Sequence, residues 1–528
     1  LRERERETKT AMVVTVLVVG AGIAGLRAAQ KMCQLAPPSM HIRIHMLEAA
    51  TIIGGRVRTL PGTCVEMGAN WIHGDQGNPL FDLISSSGEE LQLLQEDPTR
   101  HTTYLGKPTT DLHSKQGRMY MVGQPNLEIP VGEVDSVHKL VQSVLQRAEE
   151  GDLDIHETES VGGVLQQHVV PQLLSPLQCS VFQHFCKLQH SIDGCDNLYS
   201  VPCATMDCYE ELGHDHMVAR SFEELPRFLW QSLSDAYSGI VDLHLGTTVS
   251  SIEYGSTGCR AHLVGGNCWE ADIVLFTGSL GVLKAACRGS AKDKEGAAAA
   301  LSFEPTLPSP KVAAIQRMGF GVVEKVLLEL DCILPEAMEL DLLFPCDPCL
   351  PGLEEISPTS WDPCKASSGI FCMDTNSKSR DWAIVWLSGS GARAFAADRP
   401  RNDPLLAQFV EDVFSQVAIK NCPDARVPRV VRVVTTQWHT DPHTLGSYSF
   451  LSTGCSPEDP ATIAEPVVPE GSDCPRVYFA GEHTHSRWFS TVHGAYASGE
   501  RAAQEIWELG IQPLLLADPA ASASSPPV

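Results

Sequence analysis

Three glycines, a glutamate and an arginine near the start of the chain have the types and spacing to hold a phosphate-linked dinucleotide. Gly20, Gly22 and Gly25 form G-x-G-x-x-G, with Glu48 about twenty residues further on and Gly54-Gly55-Arg56 after it. Gly20 allows a tight turn, Gly22 lets a pyrophosphate approach the backbone, and Gly25 lets a helix pack closely on a strand. The Glu48 carboxylate is placed to accept from both hydroxyls of a ribose, and Gly55 with Arg56 offers a second turn and a guanidinium where a pyrophosphate would lie. A lone glycine motif is a weak signal, and the elements that position it give it meaning. Thr15-Val-Leu-Val-Val19 is an apolar run expected of a strand buried on both faces. An Ala-rich helical pattern continues to about Leu35, and a second strand, His41 to Leu47, delivers Glu48.

Further along, Lys325 opens an apolar strand after Met318-Gly-Phe-Gly, where a lysine is ordinarily a solvated strand end. Trp438 and Tyr448 flank a turn at Gly446-Ser447, and two rings at that spacing commonly belong to a core. The C-x-x-C of Cys346 and Cys349 contains Pro348 and has no partner pair at zinc-site spacing, so no metal is expected there.

The chain has 528 residues, too many for one hydrophobic core, and two domains are expected. A formal net charge of −26 excludes a binder of nucleic-acid backbones and suits small cations. No apolar stretch reaches the roughly 18–20 residues that cross a bilayer, so no membrane span is expected. The 18 cysteines are scattered without pattern, which suggests reduced thiols and an intracellular, cytoplasmic home. Leu1 to Thr10 is a mixed-charge run ahead of the first methionine, Met12, which marks a candidate start, and the tail from Pro519 is low in complexity.

Glu48 with Gly54-Gly55-Arg56, followed by Glu66-Met-Gly-Ala-Asn-Trp71-Ile-His73-Gly74, resembles the FAD-dependent amine oxidase superfamily, and within it the polyamine oxidases. Ala271 to Lys284 and the closing run Arg476 to Gly499 are similar to that family's second and third FAD segments. The resemblance implies non-covalent FAD, since Ser447 stands where monoamine oxidases carry a flavin-linking cysteine. It places Val249 near the adenine, Glu482 on the flavin ribityl chain, and the helix start at Thr491 and Val492 on the flavin pyrimidine. His483 and His485 fall within that same segment, so metal is not expected of them. Trp438 and Tyr448 become an aromatic wall beside the flavin. Lys325 becomes the residue holding a water near flavin N5, and His73, with Trp71, faces the substrate amine.

The implied fold is α/β, a Rossmann-type FAD domain assembled from discontinuous segments plus an α+β substrate domain. The FAD segments are expected at 12–105, 225–305 and 428–510, the substrate domain at 106–224 and 306–427, and a disordered tail at 511–528. The implied reaction is oxidation of spermine, spermidine or N1-acetyl derivatives next to a secondary amine, with O2 reduced to hydrogen peroxide by a monomeric enzyme. Another flavin amine oxidase and a catalytically weak FAD-binding scaffold stay open as alternatives. Three departures favour the latter: Arg220-Ser-Phe-Glu-Glu-Leu in place of the family's glycine pair, Leu445 in place of its arginine, and Ser279 in place of its proline. Family resemblance would also allow a peroxisomal home, although the chain does not end in a Ser-Lys-Leu-like tripeptide.

Overall fold

The computed structural model of the chain describes residues 13–37, 42–88, 91–93, 117–124, 129–153, 159–217, 220–288, 301–334, 339–346, 360–375, 379–421 and 426–516. Leu1 to Met12, His41, Cys349 and the tail from Pro519 lie outside the described residues. Val14–Val19 is the middle strand of a five-stranded parallel sheet, its side chains buried on both faces. Across the sheet the order is Val477–Phe479, Ile273–Phe276, Val14–Val19, Ile42–Leu47 and Val241–His244, so three distant stretches of chain supply it. The register sets Val18 between Leu275 and Met46.

The helices Ile23–Leu35 and Val492–Glu505 pack on each other over one face of this sheet. Their approach demands glycine. A Cβ on Gly499 would lie 2.4 Å from the Ala24 carbonyl oxygen, and one on Gly25 would lie 2.2 Å from that of Gly20. The helix Glu224–Ala236 adds Leu225, Leu229 and Leu233 to the same core, the repeat of a helix with one apolar face. This is a Rossmann-type α/β arrangement.

A second sheet has six strands in the order Val430–Thr435, Val323–Leu330, Trp382–Ser388, Ile370–Thr375, Glu339–Leu343 and Gly117–Met121. Its pairs are antiparallel except the last, which is parallel. Strand alternation divides the side chains of Val323–Leu330. Val326 and Leu328 enter a core with Val385, Leu387 and Phe414, whereas Leu327 packs on the other face with Leu60 and Val65. Lys325 shares the face of Leu327. The helix Pro176–Asp193 also packs on this sheet.

Two boundaries differ from the sequence reading. Val430–Thr435, placed above in the last FAD segment, pairs with the Lys325 strand in the second sheet. Its V-V-R-V-V-T pattern suits a strand of either sheet, and only the pairing decides between them. At the other end Ile511 is fully buried and Gln512–Leu516 is helical, so folded chain runs into the stretch 511–528 expected to be disordered. No helix among the described residues is long and apolar enough to cross a membrane.

Candidate active site

A cavity of about 2610 Å³ runs from the Gly20 turn to the second sheet. It exceeds the few hundred to about 1,000 Å³ typical of a small-ligand pocket, leaving room for a dinucleotide and a second molecule. Among the lining residues carboxylates outnumber lysines and arginines.

The dinucleotide wall is built largely from backbone. Gly20 has φ +109°, and a Cβ there would stand 2.6 Å from Thr277 Oγ1. A Cβ on Gly22 would meet nothing within 4 Å, so the main chain there faces open cavity. The helix Ile23–Leu35 begins at this point with no side chain capping its first N–H groups, which leaves them and the positive dipole end to an anion. Glu48 is buried at the end of its strand. Its Oε2 accepts from the Ala21 N–H at 2.7 Å and its Oε1 from the Ala50 N–H at 2.8 Å, fixing a carboxylate that keeps lone pairs for a diol. Val249 lines the cavity near it, since the Glu48 carbonyl accepts from the Thr247 N–H at 2.8 Å.

Arg56 and Glu482 meet in the middle of the site. Arg56 Nη1 donates to Glu482 Oε1 at 2.9 Å and to the Ser447 carbonyl at 2.7 Å. The second Glu482 oxygen accepts from the Ser490 N–H at 2.8 Å and from the Ser449 hydroxyl. Burial alone would raise the Glu482 carboxyl, but Arg56, His483 and the Ser449 hydroxyl together hold it below its ordinary value. Gly55, at φ +59°, turns the chain beside Gly22. Thr491 Oγ1 accepts from the Gly494 N–H at 2.9 Å and starts the closing helix, so Thr491 and Val492 line the cavity at a second helix end. His485 Nδ1 accepts from the Trp488 N–H at 2.9 Å and its ring stacks on Trp488, while His483 is fully buried and pushed down to about 4, chiefly by burial. An anion-ready helix end, a fixed acceptor for a ribose and a second helix end on one cavity fit flavin adenine dinucleotide.

On the facing wall, Lys325 is 4% exposed. Its Nζ donates to the carbonyls of Glu66 (3.0 Å) and Gly68 (2.6 Å) and to Asn70 Oδ1 (2.6 Å), and lies 4.4 Å above the centre of the Trp386 ring. This is a buried side chain held by three acceptors and an aromatic face, not a solvated strand end. His73 follows Trp71–Ile72, which pairs antiparallel with His216–Met217, and that register sets His73 beside Asp215. The His73 Nδ1 to Asp215 Oδ2 distance is 3.0 Å, and Asp215 Oδ1 accepts from the Gly74 N–H at 3.2 Å. Trp438 Nε1 donates to the Met67 carbonyl at 3.2 Å. The Tyr448 hydroxyl donates to the Ser191 carbonyl, and its ring packs on Gly194, where a Cβ would come within 2.7 Å. Trp71, His73, Lys325, Trp438 and Tyr448 all line the cavity.

The departures have local explanations. Ser279 Oγ accepts from the Val282 N–H at 3.2 Å, capping the helix Leu280–Cys287, and donates to the Thr444 carbonyl. Leu445 takes φ +53° in a turn closed by its N–H to the Asp441 carbonyl. Ser221 and Phe222 are anchored by Thr59 and Glu66 and do not line the cavity. Asp215, Trp386 and Asn70 went unread in the sequence. The His214-Asp215-His216 run and the Asn before Trp71 were visible signals, whereas nothing local to Trp386 announces its role.

Residues 23–507 match the family described as flavin containing amine oxidoreductase. Polyamine oxidase 1 of Oryza sativa subsp. japonica is 28% identical, over 93% of this chain and 96% of that protein. The peroxisomal N(1)-acetyl-spermine/spermidine oxidase of Homo sapiens is 27% identical, over 94% and 95% respectively. Lysine-specific histone demethylase 1 homolog 1 of Arabidopsis thaliana is 28% identical over 93% of this chain but 52% of its own length. Among solved structures, wild-type putrescine oxidase bound to putrescine aligns over 94% of this chain and 100% of that one, with a TM-score of 0.62 at 15% identity, a likeness of fold. The chain therefore belongs to the flavin containing amine oxidoreductase family, and its cofactor is FAD.

Proposed function

We propose that the protein is a polyamine oxidase acting at a carbon next to a secondary amine of spermine, spermidine or their N1-acetyl derivatives, to give amine, aldehyde and hydrogen peroxide. The observation that carries this reading is the cavity wall, where Lys325 sits on Trp386 and carboxylates line the space beyond it. Bound FAD supplies the two-electron acceptor and the route to O2. Gly22 and the first helix end hold its phosphates, Glu48 its ribose, and Thr491 and Val492 its pyrimidine.

The Asp215 contact favours the His73 tautomer with the proton on Nδ1, which makes Nε2 an acceptor for a substrate ammonium. Trp71 and Tyr448 confine the amine laterally. Two of the acceptors on Lys325 are main-chain carbonyls and Asn70 Oδ1 is a side chain, so the Asn70 contact is one that can yield to a water for proton transfer. Ser447 cannot form a thioether, which supports non-covalent FAD, and its hydroxyl is engaged with the Gly321 carbonyl at 2.9 Å. A monomeric, intracellular enzyme completes the proposal.

Anaerobic addition of spermine or N1-acetylspermine to the yellow protein is expected to bleach its visible spectrum. Bleaching by a methyl-lysine peptide alone would move the assignment to a demethylase, and no bleaching by any amine would leave a binding scaffold.

A further inference from the structure

Lys325 begins a row of side chains that crosses the second sheet. In register, Lys325 faces Trp386, Trp386 faces Cys372, Cys372 faces Asp341 and Asp341 faces Met119. Residues paired in register point to the same side of a sheet, and all five line the one cavity. The row is thus a floor with an ammonium at one end, an aromatic ring and a thiol between, and a carboxylate further on. Neighbouring strands lie about 4.8 Å apart, so the three steps from Lys325 to Asp341 span ~14 Å.

The far end of this floor is prepared for a cation. The Asp341 side chain is 27% exposed, while that of His184 beside it is 2% exposed. His184 Nε2 lies 3.3 Å from Asp341 Oδ1 and 3.2 Å from the Phe371 carbonyl. If a ligand draws Asp341 away, the His184 N–H retains its carbonyl partner and no buried donor is orphaned. Asp135, on the helix Val131–Glu149, also lines the cavity, and its Oδ1 is buried with no hydrogen-bond partner among the described residues. His138 brings no competing positive charge at neutral pH. Burial and His184 push it down to about 4 against the pull of Asp341 and Asp135.

We propose that Asp341, with Asp135, forms a subsite for the distal ammonium of a long polyamine whose oxidised carbon lies near Lys325. The apolar middle of the floor then takes the methylene spacer, and the substrate is a polyamine with a free cationic nitrogen ~14 Å from the reacting end. This rests on the polyamine reading above and adds the length and charge that the site selects.

The test is a titration of the FAD-loaded protein, followed by its visible spectrum without oxygen. The probes are terminal diamines from butanediamine to dodecanediamine, each compared with the alkylamine of equal length. Wild-type affinity for diamines is expected to rise stepwise near decanediamine and to exceed that for the matching alkylamine about tenfold. Asp341→Asn should remove most of that excess while alkylamine affinity moves far less, and Asp341→Glu should restore part of it. Absence of the excess in wild type, or its persistence in Asp341→Asn, overturns the subsite. The wild-type comparison decides even if the variant fails to fold. Because the titration reads binding, a length step in a protein that no polyamine reduces would refute the proposed reaction and leave the subsite standing.

Discussion

Around Glu48 the cavity wall is main chain, with two helix ends, glycines that no side chain could replace, and a carboxylate pinned by two N–H groups. Around Lys325 it is side chains that reach across the fold, to main-chain carbonyls as well as to one another. Lys325 reaches the Glu66 carbonyl across 259 residues of sequence, and His73 reaches Asp215 across 142. A backbone-built wall recognises what every bearer of the cofactor shares. On the proposed reading, the register-built wall is where substrate choice can change without disturbing the first, because each contact there includes a replaceable side chain.

The sharpest way to break this contrast is at Arg56, which belongs to both walls through Glu482 and Ser447. Arg56→Ala leaves the Glu482 carboxylate buried without its cation and is expected to cost about 3–5 kcal/mol of stability, with loss of FAD. In the wild type the Glu482 value is depressed below 4.5, so its contribution is present above that pH and is lost as pH falls through the depressed value. Without Arg56, burial raises the carboxyl instead, and the variant should regain stability on mild acidification while the wild type does not. Denaturant unfolding of the apoproteins at neutral and mildly acid pH measures this. Equal losses at both would show that the ion pair does not hold the walls together.

Lys325→Met acts on one wall only. FAD content should stay near wild type, while flavin reduction by amine or reoxidation by oxygen slows about a hundredfold, the ~3 kcal/mol of one charge-assisted contact made in the transition state. Rapid-reaction traces of both half-reactions decide it, and unchanged rates in a fully flavinylated variant would make the Lys325 cluster purely structural. The smallest effect belongs to Ser279→Ala, which removes a helix cap and should cost about 1 kcal/mol in thermal or denaturant unfolding, with turnover unaltered. A large drop in turnover would mean that the cap also holds the Thr444 turn in a catalytic position.

The same contrast governs what the sequence made legible. Gly20, Gly22, Gly25 and Glu48 could be read because they fall within one strand-turn-helix-strand unit, whereas Glu482 was placed by the resemblance of the closing segment Arg476 to Gly499. Lys325 was visible only through the motif around it. Its ring partner Trp386 was not, since cross-strand register is fixed by pairing between segments and leaves no local mark. Asp341 was hidden for the same reason, one residue in an alternating strand like any other. The misplaced strand Val430–Thr435 makes the point from the other side, because alternation reveals a strand without naming its sheet.

The packing of Gly499 against the Ala24 carbonyl has a consequence for the order of events during synthesis. The glycine motif and Glu48 leave the ribosome well before the edge strand Val477–Phe479 and the helix Val492–Glu505 that packs on the motif's helix. A nascent chain therefore carries a legible but unfinished cradle, with the apolar face of the helix Ile23–Leu35 awaiting a partner more than four hundred residues further on. Contacts of such long separation close late. The cradle is therefore complete only once Val492–Glu505 has been made, and FAD capture is expected to follow that helix rather than the glycine motif.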